Sequence, residues 1–248
     1  MSSLVWIGFL AFFVVSLVVG VRLLLLWSRT RELPELLIGI GVLGIGPVGF
    51  GAMMAASVVE GSSPGAAAAL YLAASLTVSV GVFCKCLFNW RVYHLQSRVC
   101  AAITGAVGLF LAGVLVHRLL GPGFRPVSPP DGLGLAQSAT QVGCLLWGAG
   151  EALRYWLMMR RRARLGLADP VVTNRFLMWG VGAGAAGLGS AVGTVWSLVS
   201  GVATLETPWV VASSSAHGFV AAVALSLAFV PPAAYRRWLE RRAGGAPA

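Results

Sequence analysis

The 248-residue chain is 58% hydrophobic and only 10% charged, with a mean hydropathy of +0.84. A soluble domain is about 45–50% apolar and about 25% charged, so a water-soluble fold that hides this much apolar surface is excluded. The net charge of +10 comes from 17 arginines and one lysine against 8 carboxylates. No basic soluble domain carries it, so a nucleic-acid partner is not expected. The anionic lipids of a cytoplasmic leaflet are the expected counter-charge.

Seven apolar stretches follow one another, at about 4–27, 36–59, 66–88, 100–120, 133–158, 176–200 and 209–231. A helix needs about 20 apolar residues to cross a hydrocarbon core of about 30 Å. Lipid admits only helices and closed barrels, and these segments are too long and too uniformly apolar for barrel strands. The sequence therefore predicts an all-α fold, a polytopic membrane protein with one domain (1–248) of seven transmembrane helices. The short basic tail at 232–248 would lie on the membrane surface and fray over its last residues. Met1 to Gly20 carry no charge and no small-x-small site follows, so span 1 reads as a retained helix rather than a signal peptide.

The connections carry the orientation. Arg29 and Arg31 follow span 1, Arg91 and Arg98 follow span 3, and Arg160, Arg161, Arg162, Arg164 and Arg175 follow span 5. The tail adds Arg236, Arg237, Arg241 and Arg242, whereas the other side has only Arg118 and Arg125. The positive-inside rule then puts the N-terminus outside and the C-terminus in the cytoplasm. The expected location is the cell membrane (inner or plasma), crossed many times. Cys84, Cys86 and Cys100 lie near the reducing side and Cys144 within span 5, so a disulfide framework is not expected.

Spans 1 and 5 end in similar strings, RLLLLWSR from Arg22 and RYWLMMRRR from Arg154, each followed by a proline loop (Pro34, Pro170) and a Gly-rich span. Spans 1–3 and 5–7 start on the same side, as in a parallel 3+1+3 repeat; recurrence by composition alone is the other reading. In architecture this resembles seven-helix proteins such as the SWEET sugar carriers and the microbial rhodopsins. The resemblance stops there. The matching helices have no Pro-Gln motif, and span 7 has no lysine for a Schiff base, since Lys85 in span 3 is the chain's one lysine. No functional residue carries over.

Polar residues within the spans carry what chemistry there is. Span 2 has Pro47 at its middle, where a kink is expected. Gly180 with Gly184 and Gly189 with Gly193 in span 6 are small-xxx-small pairs that permit close helix packing, static or mobile. In span 5, Gln137, Gln141, Cys144, Gly148, Glu151 and Tyr155 recur at steps of four and three, which places them on one face. Glu151 lies about two turns inside the helix, where a carboxylate is expensive and marks a functional site or an interhelical ion pair. Arg154, Arg22 and Lys85 are its expected partners. His217 with Ser213 and Ser214 in span 7, and Tyr71, Ser75 and Ser79 in span 3, make two further polar stripes. An outward cavity between spans 3, 5 and 7 is expected. Cys84, Cys86, His94 and Cys100 are poorly spaced for a metal, because C-x-C on a helix splays its sulfurs about 200° apart; neither a metal nor a cofactor is expected. No hydrolase, protease or nucleotide motif occurs, so an enzyme is not expected.

Three functions remain. One is transport of a small solute or ion through that cavity, gated by the Glu151 cluster. A second is a receptor-like sensor acting through a cytoplasmic or membrane partner on the basic loop and tail, and a third is a scaffold subunit.

Overall fold

The structure is a computed structural model that describes residues 3–121, 123–124, 131–202, 204 and 207–244. Arg125, most of the Pro- and Gly-rich connection at 121–132, the side chain of Arg242 and the end of the tail lie outside the described residues. All regular structure among the described residues is helical: α1 (Ser3–Thr30), α2 (Leu33–Leu43), α3 (Gly51–Val59), α4 (Pro64–Phe88), α5 (Arg98–Leu120), α6 (Gly132–Arg164), α7 (Pro170–Ser200), α8 (Pro208–Phe229) and α9 (Ala233–Gly244). A π-helical turn at Gly44–Phe50 joins α2 to α3, and another at Asn89–Tyr93 prolongs α4.

Among the described residues, six stretches are long and apolar enough to cross a membrane: Ile7–Thr30, Leu33–Val59, Pro64–Tyr93, Arg98–Leu120, Pro170–Ser200 and Pro208–Phe229. Their outer faces are bare hydrocarbon, with Leu109 79%, Leu120 81% and Val199 78% exposed. Soluble monomers do not present such continuous apolar surface. The chain is a multi-pass helical membrane protein. The expected fifth span, α6, differs from the other six. Its 33 residues reach about 50 Å, but its polar face and arginine-rich end keep it below the apolarity of the others.

The caps explain where helices begin. Asp131 accepts from the Gly134 N–H at 2.6 Å, Asp169 from Val171 N–H at 2.6 Å, and Ser97 from Cys100 N–H at 3.2 Å, each satisfying a donor that the first turn leaves free. Asp131 also meets the Arg118 guanidinium at 3.3 Å, tying the end of α5 to the start of α6.

The helices pack in a ring: α1 on α2, the α2–α3 pair on α4, α4 on α6, α6 on α7, α7 on α8, and α8 back on α1. The α4–α6 seam is the narrowest, and α5 flanks it. Val42, Ala152, Trp179 and Leu225, from α2, α6, α7 and α8, meet at the centre with Phe12 and Val15 of α1. The bend expected at Pro47 is present. Proline lacks the N–H that continues the helix, and Gly46 before it adopts φ −85°, ψ −106°. The bend carries Gly44 against the α4 backbone, where a Cβ would lie 2.5 Å from the Thr77 carbonyl oxygen and 3.2 Å from Gly81 Cα. Only glycine fits there, because the obstructing atoms are backbone and cannot rotate away.

Gly44→Ala should therefore lower unfolding stability in detergent by about 1–3 kcal/mol through overpacking. Gly150→Ala, whose added Cβ meets nothing within 4 Å, should not lower it. Equal midpoints for the two variants would contradict the close approach.

Candidate functional site

One end of the bundle gathers the basic residues. Tyr93 of the π turn after α4, Tyr155 of α6 and Phe176 of α7 meet in series as tilted rings, with centroid separations of 4.9 and 5.8 Å. Asn174 of α7 donates to Tyr235 Oη of α9 at 3.0 Å, and Leu37 near the start of α2 packs on Phe88 and Tyr93. The ends of α4 and α6 and the starts of α2, α7 and α9 therefore coincide, bringing Arg31, Arg91, Arg98, Arg160, Arg161, Arg162, Arg164, Arg175 and Arg236 to the same side. Arg118 lies at the opposite end.

Glu151 sits within this basic end. Its carboxylate is 13% exposed, and Oε1 accepts from His94 Nε2 at 2.7 Å. Oε2 is buried and accepts no hydrogen bond; Arg154 Nη1, at 3.8 Å, offers charge without hydrogen-bond geometry. His94 stacks on Trp147 at 6.2 Å. Asn89, 2% exposed, donates its Nδ2 to the Cys144 carbonyl at 3.3 Å, and its amide fills the space that a side chain at Gly148 would take. The α4–α6 seam thus includes Asn89 on the backbone of α6 and His94 on Glu151, about one turn apart on the α4 side and about two turns apart on α6.

The π turn creates this pairing. A π turn holds an extra residue, and one residue rotates all that follows by about 100° around the helix axis. Asn89 to Tyr93 wind in this way and His94 leaves the helix at φ −139°, ψ 37°. Span 3, expected to end at 88, therefore runs on to Tyr93.

The other expected partners of Glu151 stand elsewhere. Lys85 is buried with Nζ over the Trp179 ring, 3.7 Å from its centroid. Trp179 in turn meets Phe229 at 5.4 Å and Phe88 at 6.5 Å. Arg22 is exposed on α1, which packs on α2 and α8. The cluster of one acid with three bases resolves into Glu151 with His94 and Arg154, and Lys85 with Trp179.

The opposite half is also divided. Gln137 Nε2 donates to Ser79 Oγ at 3.3 Å, across the α6–α4 seam. Tyr71 Oη donates to Glu60 at 3.2 Å, and Ser75 is half-buried between Tyr71 and Ser79. Gln141 is half-buried one turn beyond Gln137. His217 donates from Nδ1 to the Ser213 carbonyl at 2.8 Å and lies against Gly189 of α7. Because α8 packs on α7 and α1, His217 and Ser213 pair within α8 while Gln137 and Ser79 pair across α4 and α6. Two local pairings stand where one cavity between spans 3, 5 and 7 was expected.

No protein-family model, curated protein or solved structure matches the chain. Its chemistry is read from its own geometry. The thiols of Cys84, Cys86, Cys100 and Cys144 are free; Cys86 Sγ faces Thr104 Oγ1 at 3.7 Å. Among the described residues no three histidine, cysteine or acidic side chains gather as metal ligands.

His94→Phe would leave the Glu151 carboxylate buried beside a distant arginine, which should lower stability by about 3 kcal/mol. Glu151→Gln added to that variant should recover much of the loss. Strictly additive losses in the double-mutant cycle would show that the two side chains do not interact.

Proposed function

We propose that the chain is a seven-span membrane transporter for a small solute, with the His94–Glu151 pair as its proton-sensitive inner gate. In this reading α6 is the seventh crossing. Its Ala152, wholly buried, packs with α2, α7 and α8 residues in the central cluster, a position that a helix lying on the membrane surface would not occupy. The arginine-rich end faces the cytoplasm and the N-terminus lies outside, in the cell membrane. Anionic lipid headgroups contact α9 and the 160–175 connection.

The ring order supports a parallel 3+1+3 repeat. Exchanging α1, α2–α3 and α4 for α6, α7 and α8 turns the α1–α8 seam into the α6–α4 seam, and both seams exist. The two triples differ in that α2–α3 is broken at Gly46 while α7 runs unbroken.

The observation that carries the proposal is the carboxylate with one oxygen bonded and the other buried without a hydrogen bond, on the narrow seam between the triples. A proton on the imidazole tightens the pair, and neutralising the carboxylate removes its charge and loosens it. Only a few contacts then hold α4 to α6. Asn89 on the Cys144 carbonyl is the pivot, since it bonds backbone and does not depend on protonation.

A sensor would use the same pair as its switch and α9, anchored by Asn174 and Tyr235, as its partner surface. Proteoliposomes separate the two. Uptake of a solute from a panel of small acids, sugars and cations should follow an imposed pH gradient and fall about a hundredfold or more in Glu151→Gln, the scale of losing an acid–base group. No uptake of any panel member, or uptake unchanged in Glu151→Gln, would sink the transport reading.

A further inference from the structure

Lys85 is the only lysine in the chain, and the gate mechanism does not use it. It is 7% exposed. Among the described residues no carboxylate pairs with it, since Glu151 is taken by His94 and Arg154. Its stem lies along Gly41 of α2, where an added Cβ would come within 3.0–3.2 Å of Cγ, Cδ and Cε. Its ammonium rests on the face of Trp179. A ring face returns only part of what an ammonium loses on leaving water. An ammonium held in this way gains from any anion that can reach it.

The surroundings narrow the anion. Trp179 is flanked by Phe88 and Phe229 and joins Val42, Ala152 and Leu225 in the central cluster. One positive charge balances one negative charge, so a dianion would keep a charge unpaired at high cost. Apolar and aromatic walls favour a ligand with a hydrocarbon body over a bare inorganic ion.

We propose that Lys85 and Trp179 recognise a small organic monocarboxylate, whose carboxylate takes the ammonium while its body lies against the tryptophan. This names the substrate class of the proposed transporter and rests on that reading. Lys85 precedes His94 by nine residues on the same helical stretch, which places the site deeper in the bundle than the gate.

Because the lysine is single, protein labelled with [ζ-¹⁵N]lysine gives one side-chain amine resonance. The full chain in lipid nanodiscs is titrated with benzoate, acetate, succinate, inorganic phosphate and chloride. Benzoate or acetate should move the resonance saturably, about tenfold or more tighter than succinate or phosphate, and Trp179→Leu should weaken benzoate. A resonance that no monocarboxylate moves saturably, or that phosphate or chloride moves equally well, overturns the proposal. The wild-type titration decides even if Lys85→Met fails to fold; if it folds, it should no longer bind benzoate in equilibrium dialysis. Saturable benzoate binding without pH-driven uptake would defeat the transport reading and leave this site standing. Uptake of a solute that leaves the lysine resonance unmoved would do the reverse.

Discussion

The hydrogen bond from His94 to Glu151 spans 2.7 Å between the end of the α4 stretch and α6. A carboxylate this deep in a helix bundle must be paired or neutralised, because its desolvation is not otherwise recovered. One oxygen is bonded and the other has only a distant arginine, so its pairing depends on one imidazole. Around the ring, α1, α2–α3 and α4 pack in sequence, as do α6, α7 and α8. This pair closes the narrow seam between those rows.

Two departures from regular helix geometry set the surroundings of α4. The π turn at Asn89–Tyr93 turns His94 towards α6 and sets Asn89 on the Cys144 carbonyl. The bend at Gly46 and Pro47 drives Gly44 onto the backbone of α4. Interruptions of this kind survive within a membrane where neighbouring helices satisfy the freed backbone groups. Trp179 holds Lys85 near the centre, and the aromatic series Tyr93, Tyr155 and Phe176 joins α4, α6 and α7 at the basic end.

Hydropathy made the helical spans legible, because about 20 apolar residues have one stable arrangement in lipid. Span ends were less legible: span 3 runs past Phe88 because its polar end, Asn89 to Tyr93, winds as a π turn that no 3.6-residue pattern discloses. Glu151 stood out for its depth and Gln137 for its place on the polar face of α6, and both engage α4. The partner of Glu151 did not stand out. Charge counting pointed to Arg154, Arg22 and Lys85, of which Arg154 alone lies near the carboxylate, because whether two side chains on different helices meet depends on which helices are neighbours in the ring. His94 drew notice only as a poorly spaced metal ligand beside the cysteines, and Asn89 carried no signal, both being polar residues in what reads as a loop. A further hint was their place beside the aromatic residues Trp90 and Tyr93.

If the His94–Glu151 contact gates the bundle as proposed, the α4–α6 seam opens and closes. Spin labels at Leu95 and Leu157, both exposed (59% and 51%), would report their separation in lipid nanodiscs by pulsed electron paramagnetic resonance, in a background freed of native cysteines. Two distance components are predicted, and Glu151→Gln, which removes the carboxylate charge from the pair, should favour the longer one. A single distance, unchanged in the variant, would contradict that motion.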